Sequence, residues 1–173
     1  MSRRRNRLLL VLVVIMGVIT IDQISKQIVI DNLTWGETTD PIPALSDYFQ
    51  ITHSRNTGAA FGFFQQAGDI FLVIAVVVVI AMLYFYPRIP DEADLTRFAT
   101  GLVCGGALGN AIDRIRHEYV IDFIHYQLPN VISNVSNLAD HAIVLGVFLI
   151  IYDSWRQEQR EKRKKQQAEP AEE

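Results

Sequence analysis

The chain has 173 residues, half of them hydrophobic, with one cysteine and a formal net charge of −3. A single cysteine excludes a disulfide-stapled scaffold, and the hydrophobic content excludes a long disordered chain. A charged fraction of 20% resembles that of a soluble protein, yet 16 of the 35 charged residues lie in the 28 positions 1–7 and 153–173, leaving 19 for the 145 between. The interior is therefore about as apolar as a membrane protein, and no nucleic-acid partner is expected.

Residues 8–21 carry no charge; the run then passes Asp22 and Lys26 and continues through Ile28, Val29 and Ile30. This predicts a first membrane span over about 8–30. A secretory leader is the rival reading of Arg3, Arg4, Arg5 and Arg7 before an apolar stretch. The chain then offers Asp22-Gln23-Ile24-Ser25-Lys26 in place of a small-residue cleavage site, so an uncleaved span is expected. Residues 31–69 form the longest non-hydrophobic connection. Within it residues 48–53 alternate as a short strand does, and Asn56-Thr57-Gly58-Ala59-Ala60-Phe61-Gly62 reads as a turn or bulged edge. A small sheet at the membrane surface is expected from this segment.

A second span is predicted over about 68–86, ending at Pro87, a third over 96–114 and a fourth over 136–154. The third carries Gly101, Gly105 and Gly109 at four-residue spacing, a stripe that lets a neighbouring helix approach closely, with Gly106 beside it. Cys104 reads as a small core residue. Residues 1–155 are expected to form one four-span domain, and 156–173 a charged tail with no chemistry of its own. Of 16 lysines and arginines, 12 flank the termini or the middle loop, which places both termini in the cytoplasm.

Ionisable residues within a span are costly, by roughly 2.5 kcal/mol or more on insertion scales, and mark function by default. Here they gather at one depth. Asp22, Ser25 and Lys26 share a helical face, as do Asn110, Asp113 and Arg114, and as do Asn137 and Asp140. With Asp122 in the connection after the third span, these groups meet near the outer interface. A bland alternative makes Asp22–Lys26 and Asp113–Arg114 ion pairs that steady helix ends. Asp122 and Asp140 have no cationic neighbour at helical spacing, so that alternative suits them less. His53, His117, His125 and His141 lack metal-ligand spacing, so neither a metal nor a cofactor is expected.

The ordered segments Asp22-Gln23-Ile24-Ser25-Lys26, Asn56 to Gly62, Gly105-Gly106-Ala107-Leu108-Gly109-Asn110-Ala111-Ile112-Asp113-Arg114, Val120-Ile121-Asp122-Phe123 and Asn137-Leu138-Ala139-Asp140 resemble those of bacterial lipoprotein signal peptidase, the signal peptidase II family. The resemblance spans residues 22–140. It departs at Glu118, where the family often has glycine, and at Ser136, where it often has phenylalanine.

The resemblance implies a four-helix membrane bundle with a small extracytoplasmic β-sheet and a short interfacial helix, in the bacterial inner membrane. It implies an aspartic peptidase that cuts diacylglyceryl-modified prolipoproteins on the amino side of the lipidated cysteine. Asp122 and Asp140 would be the catalytic pair; Asn56, Asn110, Arg114 and Asn137 would bind substrate or inhibitors of the globomycin type. Asp22, Lys26, Gly58, Gly106 and Asp113 would support the architecture, in a monomer surrounded by membrane lipid. Two close carboxylates suit peptide hydrolysis because one proton shared between them supplies a base and an acid together. The competing function is a small proton- or ion-coupled carrier, which needs polar groups through the whole membrane depth. A purely structural four-span subunit is a third possibility.

Overall fold

The computed structural model describes residues 2–58, 68–128 and 131–168. Four long helices, α1 (Ser2–Asn32), α2 (Gly68–Phe85), α3 (Asp94–His117) and α4 (Leu138–Ala168), form a bundle. Four strands, β1 (Thr38–Thr39), β2 (Phe49–Asn56), β3 (Val120–Leu128) and β4 (Ile132–Ser136), form an antiparallel sheet in that order. Among the described residues of the segment between α1 and α2, the only helix is the 3-10 turn Pro43–Leu45. Residues 59–62 of the expected turn lie outside the described residues.

The bundle is built inside out. Asp22, Lys26 and Asp113 are fully buried, while Leu9, Val13 and Met16 on α1, Val73 and Ile80 on α2, and Val144 and Phe148 on α4 are all more than half exposed. Water would reject such a surface; hydrocarbon does not distinguish it from a core. Among the described residues, three stretches, Arg7–Asn32, Gly68–Arg88 and Leu138–Lys164, are long and apolar enough to cross a membrane. The protein is a membrane protein.

Helix α3, expected as the third span, owes its different composition to its place. It packs against all three other helices, and its buried residues include Thr100, Asn110 and Asp113 as well as Ala99, Val103 and Ala107. A helix shielded by protein need not be as apolar as one facing lipid. The glycine stripe faces α1: a Cβ on Gly101, Gly105 or Gly109 would lie 2.8, 2.7 or 2.6 Å from Val14, Val18 or Asp22 respectively. Gly106 turns instead to α4, where a Cβ would sit 2.4 Å from the carbonyl oxygen of Ala139. The backbone beside Asp140 thus rests directly on α3.

At the end of α3, Glu118 adopts φ +68 and its N–H donates to the Arg114 carbonyl at 3.0 Å. Left-handed backbone at a helix C-terminus favours glycine, because a Cβ there is strained. The departure at Glu118 therefore has a definite cost. Glu118→Gly is expected to stabilise the protein by about 1 kcal/mol, read as a higher melting temperature in detergent.

The sheet is more extensive than the sequence suggests. β2 (Phe49–Asn56) overlaps the predicted alternation but runs on to Asn56, and its register with β3 shifts between Ile51 and Ser54, so an irregularity also lies inside the strand. β3 and β4, not anticipated as strands, turn the connection after α3 into a hairpin. Val29, Phe123 and Ile124, with Leu33, Phe49, Ile51 and Leu138, glue the sheet to the ends of α1 and α4. This packing sets Asp122 on a rigid strand.

At the opposite end of the bundle Asp153, assigned no chemistry by the sequence, is fully buried. It accepts hydrogen bonds from Thr96, Arg156 and Gln157 at 2.7, 2.7 and 2.9 Å. Between the two polar ends the core contains Val11, Ile15, Val79, Cys104 and Ala107. A continuous charged relay, as a carrier needs, is not built there among the described residues.

Candidate active site

Three asparagines organise the end of the bundle beside the sheet, all by the same logic. An amide group pinned by a donor on its oxygen must present its NH2 to whatever lies opposite. The Asn110 Oδ1 accepts from Lys26 Nζ at 3.0 Å, and lysine can only donate, so Asn110 Nδ2 faces Asp140 and donates to its Oδ1 at 2.7 Å. The Asn56 Oδ1 accepts the Gly58 N–H at 2.8 Å, and its Nδ2 donates to Asp122 Oδ2 at 2.8 Å. Gly58 closes that small turn with φ +86. The Asn137 Oδ1 accepts the Asp140 N–H at 2.9 Å, and its Nδ2 donates to Asp122 Oδ1 at 2.6 Å.

Asn137 is thus the residue that joins the two aspartates. Spacing predicts it on one helical face with Asp140, in the first turns of the last span. Instead it stands immediately before α4 and caps it, which is the position where an Asn side chain satisfies a free helix N–H. Its amide also donates to Asn110 Oδ1 at 3.2 Å. One fully buried side chain therefore connects β3, α3 and α4.

Beneath lies an ionic layer. Lys26 donates to Asp22 at 2.8 Å and to Asn110 at 3.0 Å, and its ammonium forms an ion pair with Asp113 at 2.7 Å. The two carboxylates also hold backbone in place: the other oxygen of Asp22 accepts the Ala139 N–H at 3.0 Å, and Asp113 Oδ2, the oxygen that meets Lys26, accepts the Ile121 N–H at 3.2 Å. Asp22 and Lys26 pair as spacing predicts, but Asp113 pairs with Lys26 and not with its neighbour Arg114. Adjacent residues point about 100° apart on a helix, so chain adjacency misleads here. Gln23, given no role by the sequence, donates to Asp113 at 2.8 Å. Its place inside the first motif was the available signal.

Arg114 bonds only weakly, to the Asn110 carbonyl at 3.3 Å, and lies 5.4 Å from the centre of the Phe71 ring. Its Nε is buried with no partner among the described residues. It lines a cavity of about 250 Å3 with Phe71, Ile74, Val78, Asn110 and Ile143. A second cavity of about 780 Å3 opens on the other side, lined by Asn56, Tyr126, Ser136, Asp140, His141 and Phe148 among others. A phenylalanine at Ser136 would fill part of it. His141, noted in the sequence only as Asp140's neighbour, bonds to Tyr126 and Asn137.

Asp122 is nearly inaccessible, and burial pushes its carboxyl up to about 6, with the charge of Asp140 adding to the effect and the N–H groups of Asn56 and Asn137 opposing it. Asp140 has one oxygen bonded to Asn110, while among the described residues nothing donates to the other. A raised carboxyl coupled to a second carboxylate is the electrostatic condition for general acid–base chemistry.

A helical membrane bundle holding such a pair at one end defines an integral-membrane enzyme. Comparison with known proteins narrows the class: a family profile described as Signal peptidase (SPase) II matches residues 14–156. The chain belongs to the signal peptidase II family. It is 39% identical over 149 residues to the lipoprotein signal peptidase of Halothermothrix orenii, covering 86% of this chain and 97% of that one. It is 37% identical over 145 residues to that of Anoxybacillus flavithermus, covering 84% of each. A solved bacterial membrane enzyme, determined in meso at 2.3 Å, superposes with a TM-score of 0.76 at 29% identity, covering 87% of this chain and 90% of that one. The chain is a membrane peptidase.

Proposed function

We propose that the protein removes signal peptides from diacylglyceryl-modified prolipoproteins by means of Asp122 and Asp140. The observation that carries the site assignment is the Asn137 bridge, which ties both aspartates into one buried network. The pair holds one proton between its members, since close like charges do not both ionise cheaply. The ionised carboxylate takes a proton from water as the water attacks the scissile carbonyl; the protonated one donates to the carbonyl oxygen. The proton taken from water then passes to the departing amine.

The remaining polar residues hold this arrangement. Asn56, Asn110 and Asn137 orient the carboxylates, Asn56 and Asn110 also line the cavities open to substrate, and Arg114 offers planar donors to peptide carbonyls. Asp22, Lys26 and Asp113 lock α1, α3, β3 and α4 together, while Gly58 and Gly106 allow the turn and the close packing. Globomycin-type peptides, implied by the family resemblance, would enter the same cleft. The same reading takes the protein to act as a monomer. The charge distribution supports four spans in the inner membrane, with cytoplasmic termini and a site facing outward.

The test is cleavage of a diacylated prolipoprotein by the purified protein alone across pH. Below about pH 6 the pair retains its proton; above it both carboxylates ionise and the acid is lost. We expect kcat/KM, which reports the free enzyme, to fall as pH rises through about 6, and the kcat limb to lie higher because bound substrate excludes water. No cleavage by the pure protein would defeat the reading; a profile flat from pH 5 to 8 would defeat the dyad.

A further inference from the structure

The two cavities flanking Asp140 and Asn110 differ in what they could hold. The smaller is wedged between α2, α3 and α4, and its 250 Å3 cannot take two acyl chains. The larger, at about 780 Å3, is walled on one side by Val144, Leu145 and Phe148. These same residues are among the exposed apolar side chains of α4. The wall of the cavity is thus continuous with the lipid-facing surface, and a chain could slide in without leaving hydrocarbon. The same cavity is lined by Asp140, Tyr126 of β3 and His141 of α4.

The direction of the hydrogen bonds here follows from chemistry. His141 Nδ1 lies 2.6 Å from the Asn137 carbonyl oxygen, which can only accept, so Nδ1 carries the proton. In the neutral ring Nε2 is then an acceptor. The Tyr126 hydroxyl, 3.2 Å away, must therefore donate to it. His141 thus holds the hydroxyl proton of Tyr126 pointed across the cavity toward α4. His141 is exposed, so water can take its Nε2 if the hydroxyl turns to another acceptor, and the exchange costs little.

A diacylglyceryl cysteine carries two ester carbonyls a few bonds beyond its sulfur, at the boundary between peptide and acyl chains. These carbonyls accept and cannot donate. We propose that the larger cavity is the diacylglyceryl subsite and that the Tyr126 hydroxyl, turning its single proton away from His141, donates a hydrogen bond to one of these ester carbonyls. The proposal rests on the peptidase reading above and names the part of the protein that recognises the lipid. It makes Tyr126 a specificity residue, outside the bond-breaking machinery.

The test compares two substrates of equal chain length, one with the diacylglyceryl ester and one with the dialkylglyceryl ether, which lacks the carbonyls. The parent protein is expected to favour the ester about five-fold in kcat/KM, through KM. Tyr126→Phe, checked for folding by its melting temperature, is expected to bring the ratio to about one. A parent ratio of one overturns the proposal without any variant, as does a folded Tyr126→Phe that keeps the parent's ratio. Val144→Trp, on the lipid-facing wall, is expected to raise KM for long-chain esters more than for short-chain ones. Equal rises would place the lipid elsewhere. If the parent cleaved neither substrate, the peptidase reading itself would fall, whereas the other adverse results leave it standing.

Discussion

Asp122→Asn is expected to abolish cleavage and to raise the melting temperature in the same protein. Loss of one member of an acid–base pair removes roughly 10^3-fold in rate, and Asp140→Asn should be as severe. The stability effect is particular to Asp122, whose carboxyl is pushed from 3.8 to about 6 by burial. A folded-state value above the unfolded one means that the native protein binds the proton more tightly. Stability is therefore fully present below about pH 4 and is lost as pH rises through about 6.

Above that pH the native state bears a penalty on the order of 3 kcal/mol for the buried anion. An amide at this position never ionises. It offers one oxygen where two N–H donors now converge, so Asn56 or Asn137 must turn away, at about 1 kcal/mol. The net gain at pH 8 is on the order of 2 kcal/mol; as pH falls toward 4 the ionisation penalty vanishes and the variant should end about 1 kcal/mol less stable than the parent. Thermal unfolding in detergent at pH 4, 6 and 8 reads this directly. A variant that is inactive and equally stable at all three would mean that Asp122 carries no ionisation cost. Residual cleavage near the parent rate would remove it from the mechanism.

Much of this arrangement was legible in the sequence, and what was missed has physical causes. Helical periodicity placed Asp22 with Lys26 and put Asn110 beside Asp113, because residues three and four apart share a face whatever the surroundings. The glycine stripe and the uncharged runs marked the bundle for the same reason. Partners far apart in the chain were not legible: Lys26 meets Asp113 and Asn110 across helices, and no local pattern encodes that. β3 also escaped, because its residues Val120 to Ile124 are buried consecutively and show no alternation of polar and apolar positions. Asn137 was read as helical when it is the cap. Its position within a turn of the helix start was right, but the boundary decided its role.

The second large effect belongs to Lys26. Its replacement by Met keeps much of the side chain's length and apolar stem but leaves Asp22 and Asp113, both fully buried, facing each other without the cation. Removing one partner of a buried ionic group typically costs about 3–5 kcal/mol, mostly from the charge left behind. Lys26→Met should therefore unfold at much lower temperature. The triple variant Asp22→Asn, Lys26→Met, Asp113→Asn removes the stranded charges, and each Asn retains an oxygen for the Ala139 or Ile121 N–H. It should recover most of the lost stability. Activity should not return with it, because Lys26 also pins the Asn110 amide that donates to Asp140. Without that pin only the longer 3.2 Å bond from Asn137 holds the amide oxygen, and the amide turns more readily to offer its oxygen to the carboxylate. A triple variant as stable as the parent yet still impaired in kcat would separate the two duties of the lysine. Full recovery of both would reduce Lys26 to a counter-ion.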